Sequence, residues 1–471
     1  MLLALLAPPA PPTPCALMPL SQRIFLRGAS PRNGFRRLSC SRSMSSTRST
    51  IDGSPSASPS ASRTANVVVI GAGWWSQGWH LPHLHRNERA RISAIVDSSP
   101  HPKSNLNPKL ETLSSLAKKY RANIYPSVDE LLKSQDGHEM DGAIICTPHS
   151  THFNIAVQLI QEGKRRFDES SQAGHRPMNI LIEKPITTNV GQARELHRLI
   201  LERSEAEKCA SAGLIGGGVG CFQINHSANF RPQAKAAREI VESGKLGEIQ
   251  HVSASFSSPL SWIFDDPAMV PWNEPDPKDS EMLGNGFAWG QQSHLVSWIY
   301  HVVGKDLEPD RVFCGMTHSE KTGADVSHSS TVLCKNGAVL SLSGTSLLPG
   351  NAHSDPPVGK RVEIKIYGSK GSLVYAGDDQ DSSSGKLEWL RGEDEDENKI
   401  GAAEMLCPNL GFEFEELEQD GDGTRSLQAM IRSCLGEEYY AGADSLVGLR
   451  SVQIIDAMYR SHASGNCEYV R

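Results

Sequence analysis

The sequence predicts an α/β plus α+β protein, with an N-terminal Rossmann domain followed by an open, mainly antiparallel sheet domain carrying helices on one face. Three observations predict it. A short apolar run, Asn66 to Ile70, passes directly into the glycine turn Gly71-Ala72-Gly73-Trp74-Trp75-Ser76 and then into a helical stretch. Short apolar strands then alternate with amphipathic helices, the rhythm of βα units and a mostly parallel sheet. Beyond residue 249 strand follows strand, with turn signals such as Lys335-Asn336-Gly337 between them, the rhythm of antiparallel pairs. At 471 residues the chain exceeds one ordinary core, so two domains are expected.

In chain order, the first unit carries strands at 66–70, 91–96, 123–125, 142–147 and 179–182, and helices at 111–120, 128–132 and 152–162. Residues 164–177 are polar and Gly/Ser-containing and read as a surface insertion. The second unit carries a glycine-rich edge at 214–220 and a strand at 221–224. A helix at 233–243 precedes strands at 249–256, 311–314, 330–333, 338–343, 361–366 and 372–375, expected as an antiparallel meander. The apolar spacing of Leu446, Leu449, Val452, Ile455 and Met458 marks an amphipathic helix over 445–460. The boundaries read as 1–64 a targeting or disordered segment, 65–190 the dinucleotide-binding domain and 191–471 the substrate domain, its terminal helix packing back between domains.

The composition is 38% hydrophobic and 21% charged, with a net charge of −7. Nothing in it supplies a cationic footprint for nucleic acid or an apolar run long enough for a membrane span. The first fifty residues carry seven Arg and no acid among much Ser and Pro, the composition of an organelle import segment for a mitochondrion or plastid. Secretion, a disordered extension and a cytoplasmic protein remain open alternatives. The ten Cys are scattered without a CxxC pair, and the His without metal spacing, so neither a disulfide framework nor a metal site is expected. The acidic run 393–397 reads as a solvated loop.

The glycine turn carries the first chemistry. Gly71 permits the tight bend, and Gly73 lets a pyrophosphate approach backbone amides at a helix N-terminus, with Trp74, Trp75 and Ser76 lining that approach. Asp97 ends the second strand 26 residues after Gly71. A carboxylate there accepts ribose hydroxyls and repels a 2′-phosphate, which favours NAD while leaving NADP open. Thr147, Pro148 and His152 follow the fourth strand, and Glu183 and Lys184 follow the fifth, at the strand ends where open α/β sheets bind ligands. In the second unit His294 opens a helix and can face a cleft. Asn225, His226, Trp289 and Gln291 are weaker substrate-side candidates, and Pro271, Trp272 and Trp289 either enclose a sugar-like face or form a satellite core.

The ordered strings GAGWWSQGWH, TPHSTH, EKP at 183–185, REIVESGKLGEI, GSKGSL and GLRSVQIIDAMYRSH give a resemblance over about 66–464. Together they resemble the glucose-fructose oxidoreductase, inositol dehydrogenase and rhizopine-catabolism family, Gfo/Idh/MocA. The resemblance implies NAD(P)-linked oxidation of a sugar, polyol or cyclitol hydroxyl, with Lys184 matching the site lysine and His294 the catalytic histidine. It also implies a homodimer or homotetramer through the second sheet. The family carries Asp four residues before that histidine, where this chain has Gly290; Gln291 or Gln292 is then expected to supply a neutral hydrogen bond to His294. Cofactor-recycling sugar rearrangement or glycosidic cleavage, and a catalytically silent nucleotide sensor or scaffold, stay open as alternatives.

Overall fold

The computed structural model describes residues 63–471 apart from 170–177, 212–219, 270–274, 276–281, 305–306, 352–353, 393–402 and 407–422. The N-terminal segment read as an import signal, the glycine-rich edge up to 219, Pro271, Trp272 and the acidic run therefore lie outside the described residues.

The first sheet has six parallel strands: β1 (Ala65–Ile70), β2 (Ala90–Val96), β3 (Asn123–Tyr125), β4 (Gly142–Ile145), β5 (Asn179–Ile182) and β6 (Phe222–Ile224). Their order is β3-β2-β1-β4-β5-β6, so the chain starts at the centre, builds outward to one side and then crosses to the other. That reversal leaves a crevice at the carboxyl ends of β1 and β4, where nucleotides bind such sheets. The strands are apolar on both faces, as a sheet covered by helices on both sides requires.

The helices of this unit are α1 (Leu81–Arg86), α2 (Leu113–Tyr120), α3 (Val128–Leu132), α4 (Gln135–Glu139), α5 (His152–Glu169) and α6 (Val190–Ser211). Thr112, Ser127 and Ser134 cap α2, α3 and α4, each accepting a backbone N–H from the first turn. α5 runs to Glu169, seven residues past the expected end and into the segment read as an insertion. Glu162 binds both Arg165 and Arg166, and Arg166 reaches the Met140 carbonyl at 3.2 Å, so the charged residues extend the helix instead of leaving it.

The expected boundary at 190 also moves. β6 pairs with β5 inside the first sheet, so that sheet extends to residue 224. The short apolar strand needed both faces covered, and the edge beside β5 offers that cover.

The second unit begins with α7 (Pro232–Glu242) and β7 (Ile249–Ser257), followed by the short α8 (Ser261–Phe264) and the long α9 (Ser293–Val303). β8 (Pro309–His318), β9 (Asp325–Cys334), β10 (Val339–Thr345), β11 (Arg361–Gly368), β12 (Gly371–Asp378), β13 (Asp381–Arg391) and β14 (Ala403–Met405) complete most of a nine-stranded sheet. α10 (Arg425–Cys434), α11 (Ser445–Ser464) and the two-residue β15 (Glu468–Tyr469) end the chain.

The sheet is mixed and not a simple meander. β10 lies parallel to β7 at its centre, because the chain leaves after β7 and returns on the far side as β8. Alternation sets the faces: Val252, Ala254 and Phe256 of β7 point inward while Ser253, Ser255 and Ser257 point outward. α9 and α11 cover the inner face. Trp298 of α9 stacks on Tyr375 of β12 at 4.6 Å and 7°, both fully buried. Truncating such an aromatic residue to Ala costs about 3–5 kcal/mol.

α10 was not foreseen from sequence. Its Leu427, Met430, Ile431 and Cys434 pack under the first sheet against residues of β1, β2, β4 and β5, so a segment from the end of the chain completes the nucleotide domain. α11 runs between the domains, against α6 on one side and α9 and β8 on the other.

Candidate active site

The glycine turn is built to be approached. Gly71 has φ +98°, and a Cβ there would lie 2.2 Å from the Cys146 carbonyl oxygen, so only glycine fits this bend. A Cβ on Gly73 would meet nothing within 4 Å, so the turn's other glycine borders open space. Asp97 pins the turn from β2: Ala72 N–H donates to Oδ2 at 2.8 Å and Ser99 N–H to Oδ1 at 2.9 Å. Each carboxylate oxygen keeps acceptor capacity for ribose hydroxyls. The open amide turn, the acid at the end of β2 and the crevice between β1 and β4 fit a dinucleotide. Thr147 closes the turn's back, its Cγ2 3.0 Å from the position of a Gly71 Cβ, with Pro148 next to it.

After the turn the chain winds as a wide π-helical turn, Ser76–His80, before α1. Ser76 is fully buried there, as the third small position of the motif requires. Trp74 meets Trp75 edge-on at 5.2 Å, and Trp75 stacks on Trp79 at 5.2 Å and 17°. The turn carries Trp75 and His80 over the end of β5, where both meet Glu183.

Glu183 is the hub. Its Oε1 accepts from Trp75 Nε1 at 3.0 Å and Asn225 Nδ2 at 2.7 Å, and lies 2.7 Å from His80 Nε2. Burial pushes the Glu183 carboxyl up, but the His80 contact, the Asn225 bond and the Lys184 charge outweigh it and hold the group below its usual range. His80, Cys146 and Glu183 place ligand-type atoms within 4.8 Å of one another. With three partners on Oε1, and burial pushing the Cys146 thiol well up, this geometry is a hydrogen-bonded lock between β4, β5, β6 and the first helix.

Lys184, joined to Pro185 by a cis peptide bond, crosses to the second domain. Its Nζ donates to the carbonyl oxygen of Gly290 at 2.7 Å. Gly290 sits in a second π-helical turn, Ala288–Gln292, which leads into α9 and His294. A widened turn shifts carbonyls out of the regular ladder, which suits one to receive an outside donor. A Cβ at 290 would lie 3.1 Å from Phe264 Cζ, so a side chain there requires the Phe264 ring to give way. The Phe264 ring thus borders the position where the resemblance places an Asp.

His294 is buried, and its ring meets His226 edge-on at 5.3 Å. Burial first, then the charges of His294 and Lys184, hold His226 well below the usual imidazole range, so it is neutral. Lys184, His226 and His294 thus converge at the domain junction, with Asn225 linking them to Glu183.

Other expected site residues lie elsewhere. His152 is buried behind the strand ends, with Nδ1 2.9 Å from the Pro185 carbonyl and Nε2 2.9 Å from that of Thr147. It ties the two loops together instead of facing a cofactor. Trp289 is 3% exposed and stacks on Tyr459 at 6.0 Å and 23°, so it belongs to the core and not to a sugar platform. Gln292 makes no side-chain hydrogen bond and Gln291 Oε1 accepts none, so the expected neutral bond from them to His294 does not form through these atoms. Sequence reasoning missed His80, Phe264 and Asp325. His80 alone had a signal, standing four residues after Ser76 and therefore on the same helix face.

The comparisons with known proteins agree with this architecture. The family model described as oxidoreductase family, NAD-binding Rossmann fold matches residues 65–206, and the Gfo/Idh/MocA C-terminal domain model matches 234–374. The chain is 25% identical over 331 residues to uncharacterized oxidoreductase YhhX of Escherichia coli (strain K12), covering 70% of this chain and 76% of that protein. Among solved structures, levoglucosan dehydrogenase in complex with NADH and L-sorbose aligns at TM-score 0.56 and 16% identity, covering 87% of this chain and 99% of that one. The WlbA dehydrogenase of Chromobacterium violaceum, in complex with NADH and UDP-GlcNAcA, aligns at TM-score 0.57 and 17% identity, covering 88% and 98%. Glycine turn, Glu-Lys-Pro strand end, histidine-bearing helix and both domain matches together place this chain in the Gfo/Idh/MocA family of NAD-dependent oxidoreductases.

Proposed function

We propose that the protein oxidises a secondary hydroxyl of a sugar, polyol or cyclitol, with NAD as hydride acceptor. The observation that carries this reading is the convergence of Lys184, His226 and His294 where the two domains meet, next to the end of β5. NAD supplies the hydride chemistry when bound, and the chain supplies orientation and proton movement. Lys184 donates to the reacting oxygen and stabilises the negative charge that gathers on it as the carbonyl forms. His294 takes the hydroxyl proton, directly or through one water. His226, held neutral, keeps a second positive charge away from the lysine. The fold neighbour that carries NADH with L-sorbose supports a substrate of monosaccharide size.

The test is a screen of aldoses, alditols and cyclitols with NAD, reading NADH formation, on the wild type and on Lys184→Met and His294→Asn. Turnover by the wild type that both substitutions abolish is the expected result. Turnover unchanged by Lys184→Met removes the lysine from the chemistry.

A further inference from the structure

The helix that carries His294 is held from the sheet by a buried carboxylate. Asp325 begins β9 and is 1% exposed. Its Oδ2 accepts the Ala288 N–H at 2.8 Å, at the start of the π-helical turn, and its Oδ1 accepts the Tyr459 hydroxyl of α11. Two glycines make room for this contact. A Cβ on Gly286 (φ +159°) would lie 2.4 Å from the Asp325 carbonyl oxygen, and one on Gly284 (φ +124°) would lie 2.7 Å from Cε1 of the Tyr459 ring. The string Leu283-Gly284-Asn285-Gly286 is therefore shaped around Asp325 and Tyr459, and Trp289 stacks on the same tyrosine.

A buried carboxylate costs free energy unless it is paired. This one faces a tyrosine hydroxyl and a backbone amide at a helix start, where the peptide dipoles favour negative charge. The helix itself carries no acid in its first turns, and Gly290 stands against the Phe264 ring.

We propose that Asp325 is the positioning residue of the histidine-bearing helix, supplying from the sheet the negative charge that this chain lacks at position 290. Resting on the redox reading above, it fixes where the helix starts, and hence where Gly290 meets Lys184 and His294 meets His226. Its charge also offsets the positive end of the helix dipoles and favours a proton on His294. Among the described residues, the titratable groups that face Asp325 are Tyr459 and His462 from α11 and Cys314 and His318 from β8; His226, itself beside Lys184, faces His294. Burial pushes the Asp325 carboxyl up, while the Tyr459 and Ala288 hydrogen bonds and the His318 charge oppose that.

The experiment is histidine NMR on the full chain without cofactor, with the ring signals of His294 assigned by their loss in His294→Asn. In Asp325→Asn, which keeps shape and an acceptor but removes the charge, the His294 titration midpoint is expected to fall by about half a pH unit. A purely structural anchor would change the melting temperature of Asp325→Asn and leave that midpoint in place, and this result overturns the proposal. Should Asp325→Asn not fold, Asp325→Ser decides in its stead. It also removes the charge, so the same fall is expected, and no change overturns the proposal equally. NADH binding by the wild type, measured alongside, separates the two readings: its absence removes the redox assignment and leaves the titration result intact.

Discussion

Lys184 Nζ donates to the carbonyl oxygen of Gly290 at 2.7 Å, a bond that joins the end of β5 in the first domain to the turn that leads into the helix of His294 in the second. A main-chain carbonyl is neutral and does not titrate near neutral pH, so this acceptor is the same across the working range. Substitution to Met removes the bond and the charge together. Oxidation of the substrate is expected to slow at least a hundredfold, a typical scale for losing such a donor, while NADH affinity measured by fluorescence changes little.

Placing the family's carboxylate back is expected to fail in this framework. In Gly290→Asp the new side chain meets Phe264, and the overpacked site should lose about 1–3 kcal/mol of stability in denaturant unfolding. Paired with Phe264→Ala, the double variant should lose less than the sum of the two single losses, because the two sites share one contact.

The two turn glycines predict opposite phenotypes. Gly71→Ala puts a Cβ 2.2 Å from a backbone oxygen at positive φ, so the folded state itself should weaken, seen as a lower melting temperature. Gly73→Ala meets nothing, so the melting temperature should hold while NADH binding falls tenfold or more, since the added methyl stands where the pyrophosphate must lie.

Acid sensitivity should come from buried neutral imidazoles. Burial depresses His328 to about 4 and His301 to about 3, and His226 is held well below its usual range. The unfolded chain protonates these rings near pH 6.5 and the folded chain does not, so their stabilisation is present above about 6.5 and is lost as pH falls toward about 4. Each contributes a slope of up to roughly 1.4 kcal/mol per pH unit in that window. In urea titrations at stepped pH, His328→Phe should show a slope shallower by about one proton.

Gly344 offers a further check on the layer beneath the reactive helix. A Cβ there would lie 2.4 Å from Phe287 Cε1 and 2.8 Å from both Gln292 Oε1 and His328 Nε2. Gly344→Ala is expected to lower stability by about 1–3 kcal/mol, read from the denaturation midpoint.

Much of the nucleotide half was legible because its signals are local. A strand, a tight turn and a helix N-terminus are consecutive in the chain, and the two glycines state their own backbone needs. Asp97, Thr147, Glu183 and Lys184 could be placed because parallel strands all end on one edge. Less local features were misjudged for identifiable reasons. β6 and α10 joined the first sheet although they stand beyond the expected boundary, since what decided their place was which apolar faces remained uncovered. His152 and Trp289 carry residue types that suit a site, but their neighbours, two carbonyls and a tyrosine, come from other elements.

By itself the sequence determined the order of the two domains, the dinucleotide turn and the strand-end position of Lys184, because each depends on residues within one turn or one strand of each other. Only the tertiary structure decided that Glu183 binds Trp75, His80 and Asn225, that Phe264 fills the space beside Gly290, and that Asp325 caps the helix of His294. Those contacts join residues 26 to 108 positions apart. Their distances are set by how the sheets and helices pack, which no local pattern encodes.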